Sequence, residues 1–110
     1  VLAALEGNGV CCGTEAELSA AVASLLSRAG IEFEAEVRID ARSRLDFLVG
    51  RVAIELKIRG GLSALIRQLD RYAQSDRIDA IAVVTTSRRL GGVPSELRGK
   101  PITVICMGVL

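Results

Sequence analysis

Asp46, Glu55 and Lys57 are the residues whose types and spacing carry chemistry. They lie in two short apolar runs, 44–49 and 52–58, separated by Gly50-Arg51. Side chains alternate across a strand, so Glu55 and Lys57 share one face of the second run while Ile54, Leu56 and Ile58 share the other. A tight turn at Gly50-Arg51 folds the first run back and brings Asp46 to a cross-strand position near Glu55. Two carboxylates beside an amine suit a divalent cation. Mg²⁺ takes hard oxygens from one or two carboxylates, keeps several waters, neutralises phosphate charge and makes a water nucleophilic near neutral pH. In that reading Asp46 and Glu55 supply the carboxylates and the backbone carbonyl of Leu56 a third oxygen. Lys57 orients or deprotonates the attacking water, or stabilises developing charge as a fixed cation. The reaction so served is phosphodiester hydrolysis. The same Glu-Leu-Lys alternation also describes the wet face of a half-exposed hairpin.

The elements that must position these residues follow from periodicity. Residues 14–29 have helical spacing, with Leu18, Val22, Leu25 or Leu26, and Ala29 on one stripe that ends at Gly30. Glu32–Ile39 alternates, apolar at Phe33, Ala35, Val37 and Ile39, and Asp40-Ala41-Arg42-Ser43 reads as a turn into the hairpin. Gly60-Gly61 breaks the chain, and Leu62–Ser75 is a second amphipathic helix with Leu62, Leu65, Ile66, Leu69 and Ala73 inward. Asp79–Thr86 is apolar and β-branched, a strand buried on both faces. Ser87–Lys100 reads as a basic loop with a helical turn at Pro94–Arg98, and Pro101–Met107 as a last strand. The expected fold is α/β, a mixed central sheet with a helix against each face.

Composition narrows the chemistry. At 110 residues the chain has room for one domain with a real core. It contains no histidine, which removes Ser/His and Cys/His catalysis and histidine-based zinc binding. Cys11, Cys12 and Cys106 form no CxxC pair; adjacent Cys11-Cys12 reads as two small buried hydrophobes or a redox-active pair. Cysteine usage of this kind, with no signal pattern at the start, points to a cytoplasmic setting. The apolar runs are too short to span a bilayer, so no membrane partner is expected.

Charge is uneven although the net value is only +1. Residues 1–37 carry six glutamates against Arg28 alone, a balance of −5, and residues 38–110 carry thirteen Lys/Arg against seven Asp/Glu, a balance of +6. A polyanion docking on one side fits that asymmetry. Arg42, Arg44, Arg59 and Arg67 are the expected backbone contacts. Only Phe33, Phe47 and Tyr72 are aromatic, which argues against reading single strands by base stacking and favours duplex or branched DNA.

Two further groups stand near the hairpin in this reading. Thr14-Glu15-Ala16-Glu17 matches a capping box that occupies Glu17 and leaves Glu15 over. Glu15 precedes Leu18 and Val22 by three and seven residues, on the inward stripe, where it either favours the helix N-terminus or holds a metal-bound water. Gln68 and Tyr72, four apart on the second helix, flank its apolar stripe, either as ordinary polar border or to orient lysine or phosphate.

Taken together, the element order and the Asp46…Glu55-Leu56-Lys57 hairpin resemble the PD-(D/E)XK nuclease superfamily over residues 14–86, with Leu45 in place of the proline. The resemblance implies a three-layer, restriction-endonuclease-like αβββαβ core. It further implies Mg²⁺, or Mn²⁺ in its place, on Asp46 and Glu55, with Lys57 catalytic. Glu15 matches the first-helix glutamate of archaeal-type Holliday junction resolvases. Gln68 and Tyr72 match the Gln-x-x-x-Tyr element of the branch containing the RecB and lambda exonuclease domains. The expectation is a metal-dependent deoxyribonuclease, an endonuclease acting as a homodimer on duplex or junction DNA. The alternatives are a non-cleaving nucleic-acid-binding module of the same fold and a RecB-like exonuclease.

Overall fold

The computed structural model describes residues 13–87 and 92–107; Cys11, Cys12, Arg88 and Arg89 lie outside them. The elements run α1 (Glu15–Arg28), β1 (Glu34–Arg38), β2 (Arg44–Val49), β3 (Val52–Lys57), α2 (Leu62–Ala73), β4 (Ala80–Thr85), β5 (Glu96–Leu97) and β6 (Lys100–Cys106). One mixed sheet has the order β1-β2-β3-β4-β6-β5. The β1–β2 and β2–β3 pairs are antiparallel, β3–β4 and β4–β6 are parallel, and β5 returns antiparallel on β6.

A helix covers each face, giving three layers. Leu18, Val22 and Leu26 of α1 pack on Phe47, Ile54, Leu56, Ala82 and Val84. Leu65, Leu69, Tyr72 and Ala73 of α2 pack on Leu45, Leu48, Ala53, Ile81 and Val83. Alternate residues of β4 thus enter opposite cores, which is why its sequence is apolar without a break. Among the described residues no helix is long and apolar enough to cross a bilayer.

Local chemistry sets the element ends. The Thr14 hydroxyl accepts the Glu17 amide at 3.1 Å and caps α1. The return contact differs from a capping box, because the Thr14 hydroxyl donates to the Glu17 carboxylate at 3.2 Å while the Thr14 amide is not involved. Gly50, at φ 58°, allows the two-residue turn that pairs Val49 with Val52.

Two sequence expectations are corrected. The alternation of Phe33, Ala35, Val37 and Ile39 suggested a single inward face. In fact Glu36 sits at φ 52°, a left-handed conformation that rotates the chain mid-strand. Phe33 therefore joins the α1 core while Val37 and Ile39 join the α2 core. The helical turn expected at Pro94–Arg98 is instead β5 and the first half of a hairpin turn. Arg98 and Gly99 both have positive φ, 52° and 79°, which is the two-residue geometry that folds Leu97 onto Lys100.

Candidate active site

β2 changes sides where the site begins. Leu45 is buried in the α2 core and Phe47 in the α1 core, so the strand twists through Asp46. The recorded β2–β3 register ends at Phe47↔Ile54, and beyond it a side chain takes over the ladder. The Asp46 Oδ2 accepts the Leu56 amide at 2.8 Å, satisfying a backbone donor that would otherwise stay unpaired at that edge. The Asp46 carboxylate is thereby held against β3, one position along from the Phe47↔Ile54 pair and next to Glu55.

Glu55 is a carboxyl group inside the α2 core, only 5% exposed. The Tyr72 hydroxyl, itself fully buried, reaches it from α2 at 3.0 Å to Oε1 and also lies 3.1 Å from the Arg44 carbonyl. Burial pushes the Glu55 carboxyl up to about 9, and the neighbouring Asp46 charge and hydrogen bond push the same way; Tyr72 and the Lys57 charge oppose them weakly. Burial and the facing Glu55 likewise raise the Tyr72 phenol. Glu55 therefore keeps its proton at neutral pH, beside the Asp46 carboxylate that helps to hold it there. Lys57, half-buried and two residues past Glu55, lies close enough to act on it electrostatically, but the amine makes no ion pair with either carboxylate. Gly60 borders the lysine: a Cβ there would stand 2.9 Å from Lys57 Cε and 3.1 Å from Nζ.

The other expected residues are placed differently. Glu15 is exposed; its Oε1 accepts the Ile58 amide at 3.4 Å, just past the end of β3. With Gly13, Thr14, Ile58 and Arg59 it lines a cavity of about 330 Å³. Gln68 is half-buried, and no hydrogen bond ties it to the cluster. Arg42, Arg44, Arg59 and Arg67 are all exposed, and none makes an ion pair among the described residues. Another cavity, of about 540 Å³, lies between the start of β1 and the Gly50 end of the hairpin.

Sequence reasoning placed Tyr72 at the border of the helix stripe. The spacing of Leu65, Leu69, Tyr72 and Ala73 contains the signal for its burial, since these are successive inward positions. Gly60 read as a chain break, and nothing in a lone glycine announces a neighbouring amine.

A divalent cation is tested here by the donor set. Burial and the neighbouring Asp46 charge keep a proton on the Glu55 carboxyl, and a cation between the two carboxyl groups would relieve the same charge. The oxygens fit. Among the described residues no three Asp, Glu, Cys or His side chains gather as a metal-binding group, so an ion here would keep much of its water, as Mg²⁺ does.

No family model, no curated protein and no solved structure matches this chain.

Proposed function

We propose that the chain is a metal-dependent deoxyribonuclease domain of PD-(D/E)XK type, cutting duplex or branched DNA as a homodimeric endonuclease. The observation that carries the reading is the Asp46–Glu55 pair on adjacent strands with Lys57 two residues on, at the face covered by α2. Asp46, Glu55 and the Leu56 carbonyl would hold Mg²⁺, or Mn²⁺ in its place. When bound, the ion supplies charge neutralisation at the phosphate and an activated water. Tyr72 fixes the Glu55 carboxyl against α2, and the Leu56 amide fixes Asp46. Lys57 provides a cation beside them, without an ion pair among the described residues, to meet developing negative charge. Glu15 contributes at most through water, since its carboxylate is turned to the Ile58 amide.

One observation favours a second reading, a nucleic-acid-binding module that does not cut: among the described residues no third acidic side chain joins Asp46 and Glu55.

Cleavage of linear, nicked, single-stranded and four-way-junction DNA in Mg²⁺ and in EDTA separates the two readings. The nuclease reading expects cutting that needs metal and falls about 100-fold or more in Lys57→Ala and Asp46→Ala proteins that remain folded. Cutting that is unaltered in both variants would remove it.

A further inference from the structure

We propose a phosphate-binding pocket between the β1–β2 turn and the last turn of α2, with Arg71 and Arg42 as its cationic arms. Its natural occupant is a backbone phosphodiester of a nucleic-acid strand. The pocket measures about 360 Å³ and is lined by Asp40, Ala41, Arg42, Arg71 and Gln74.

Arg71 is the observation that asks for a ligand. Among the described residues its Nε is buried without a hydrogen-bond partner and its guanidinium makes no ion pair. Leaving a buried donor of a charged group unmade is costly, and a group that persists in that state is shaped for an acceptor. The simplest structural account is that Arg71 complements the helix C-terminus, where a cation is favourable. That account needs only a charge near the last turn. It does not explain why the same side chain lines a polar pocket while its Nε stays without an acceptor.

The surroundings are built and strongly cationic. The Asp40 carboxylate accepts the Arg42 amide at 2.7 Å, which sets the turn that carries Arg42 to the pocket. Arg38 braces the same turn from β1, donating to the Ala41 carbonyl at 3.2 Å, and Arg77 donates to the Arg38 carbonyl at 3.4 Å. Four arginines, Arg38, Arg42, Arg71 and Arg77, thus gather at or beside this turn, with the Asp40 carboxylate in the pocket lining and Asp70 beside Gln74. The Asp40 carboxylate opposes an anion in part, and Arg71 is close enough to act on it electrostatically. Gln74 adds an amide at the rim, its Nε2 leaning 3.4 Å toward Asp70. Guanidinium forks match phosphate oxygens in a way that single amines do not.

The pocket also adjoins the candidate catalytic cluster. Arg71 is followed directly by Tyr72, whose hydroxyl bonds Glu55 and the Arg44 carbonyl, and Arg44 follows Arg42 by two residues. One turn of α2 therefore presents a phenol to the carboxylates and a guanidinium to the pocket. The choice of a strand phosphate over a free one rests on the nuclease reading; the pocket itself does not.

Binding in EDTA separates these. Inorganic phosphate and a short DNA duplex are each titrated into wild type, Arg71→Gln and Arg42→Gln, the last serving where Arg71→Gln lowers stability. Wild type is expected to bind both, each variant to bind duplex about tenfold more weakly, and the salt slope of duplex binding to fall by about one. Equal binding of phosphate and duplex by all three proteins overturns the pocket. Phosphate binding lost in the variants with duplex binding untouched overturns the strand as its occupant. Duplex binding weakened in the variants, in a protein that never cuts with Mg²⁺, leaves the pocket standing and removes the nuclease.

Discussion

The Tyr72 hydroxyl donates to the Glu55 carboxyl at 3.0 Å, so a phenol from α2 and an acid from β3 meet where neither touches solvent freely. The contact joins helix to sheet inside the α2 core.

Tyr72→Phe keeps the ring and deletes the donor. Glu55 Oε1 and the Arg44 carbonyl then lose the same partner. The expected cost is about 1–3 kcal/mol of unfolding free energy, with the fold retained. Urea denaturation of the two proteins measures it, and equal midpoints would show that the bond contributes nothing.

Stability without metal should fall as pH rises. Burial and Asp46 push Glu55 up to about 9 from 4.5, so between those values the folded chain keeps a proton that the unfolded chain has lost. The folded state binds more protons, hence its stability is fully present below 4.5 and drains away toward 9. Unfolding in EDTA at about pH 5 and about pH 8.5 reads the slope, and Glu55→Gln should flatten it. A variant with the wild-type slope would assign the effect to other groups.

Mn²⁺ should raise Tm in wild type and leave Asp46→Asn unmoved. A ligand at about 100 times its Kd adds about 2.7 kcal/mol to the folded state. The gain should grow with pH, because the cation competes with the proton held on Glu55. Identical shifts in the two proteins would place the ion elsewhere.

Gly60→Ala tests the lysine. The added methyl would sit 2.9 Å from Lys57 Cε, and φ at residue 60 is +113°, a region that only glycine adopts easily. The amine must move. Metal-dependent cutting should fall by about tenfold or more while the fold persists at a cost of about 1–3 kcal/mol. Unchanged cutting with a displaced amine would take Lys57 out of the reaction.

The hairpin was legible because period-two alternation specifies both the strand and the face of each side chain. Ile54, Leu56, Glu55 and Lys57 could be assigned to sides before any coordinates. The two helices were legible from their stripes for the same kind of reason. What stayed hidden depends on single backbone angles and on tertiary partners. Glu36 and Arg98 adopt left-handed conformations without being glycine, and no composition rule flags them. The Asp46 carboxylate replaces a ladder bond to Leu56, a role that exists only once β2 and β3 are side by side. Arg71 reads as one arginine among many until its buried Nε is seen.

Among the described residues β1 is an outer strand of the sheet, and Glu36 bends it in the middle. An exposed straight border offers its amides and carbonyls as a template on which further chains can stack. The bend interrupts that row after two residues and places Glu34 and Glu36 along it, so a second copy adding there would meet both a broken register and like charges. Self-association through this border is thus discouraged, and a functional pair of subunits would have to meet through another surface.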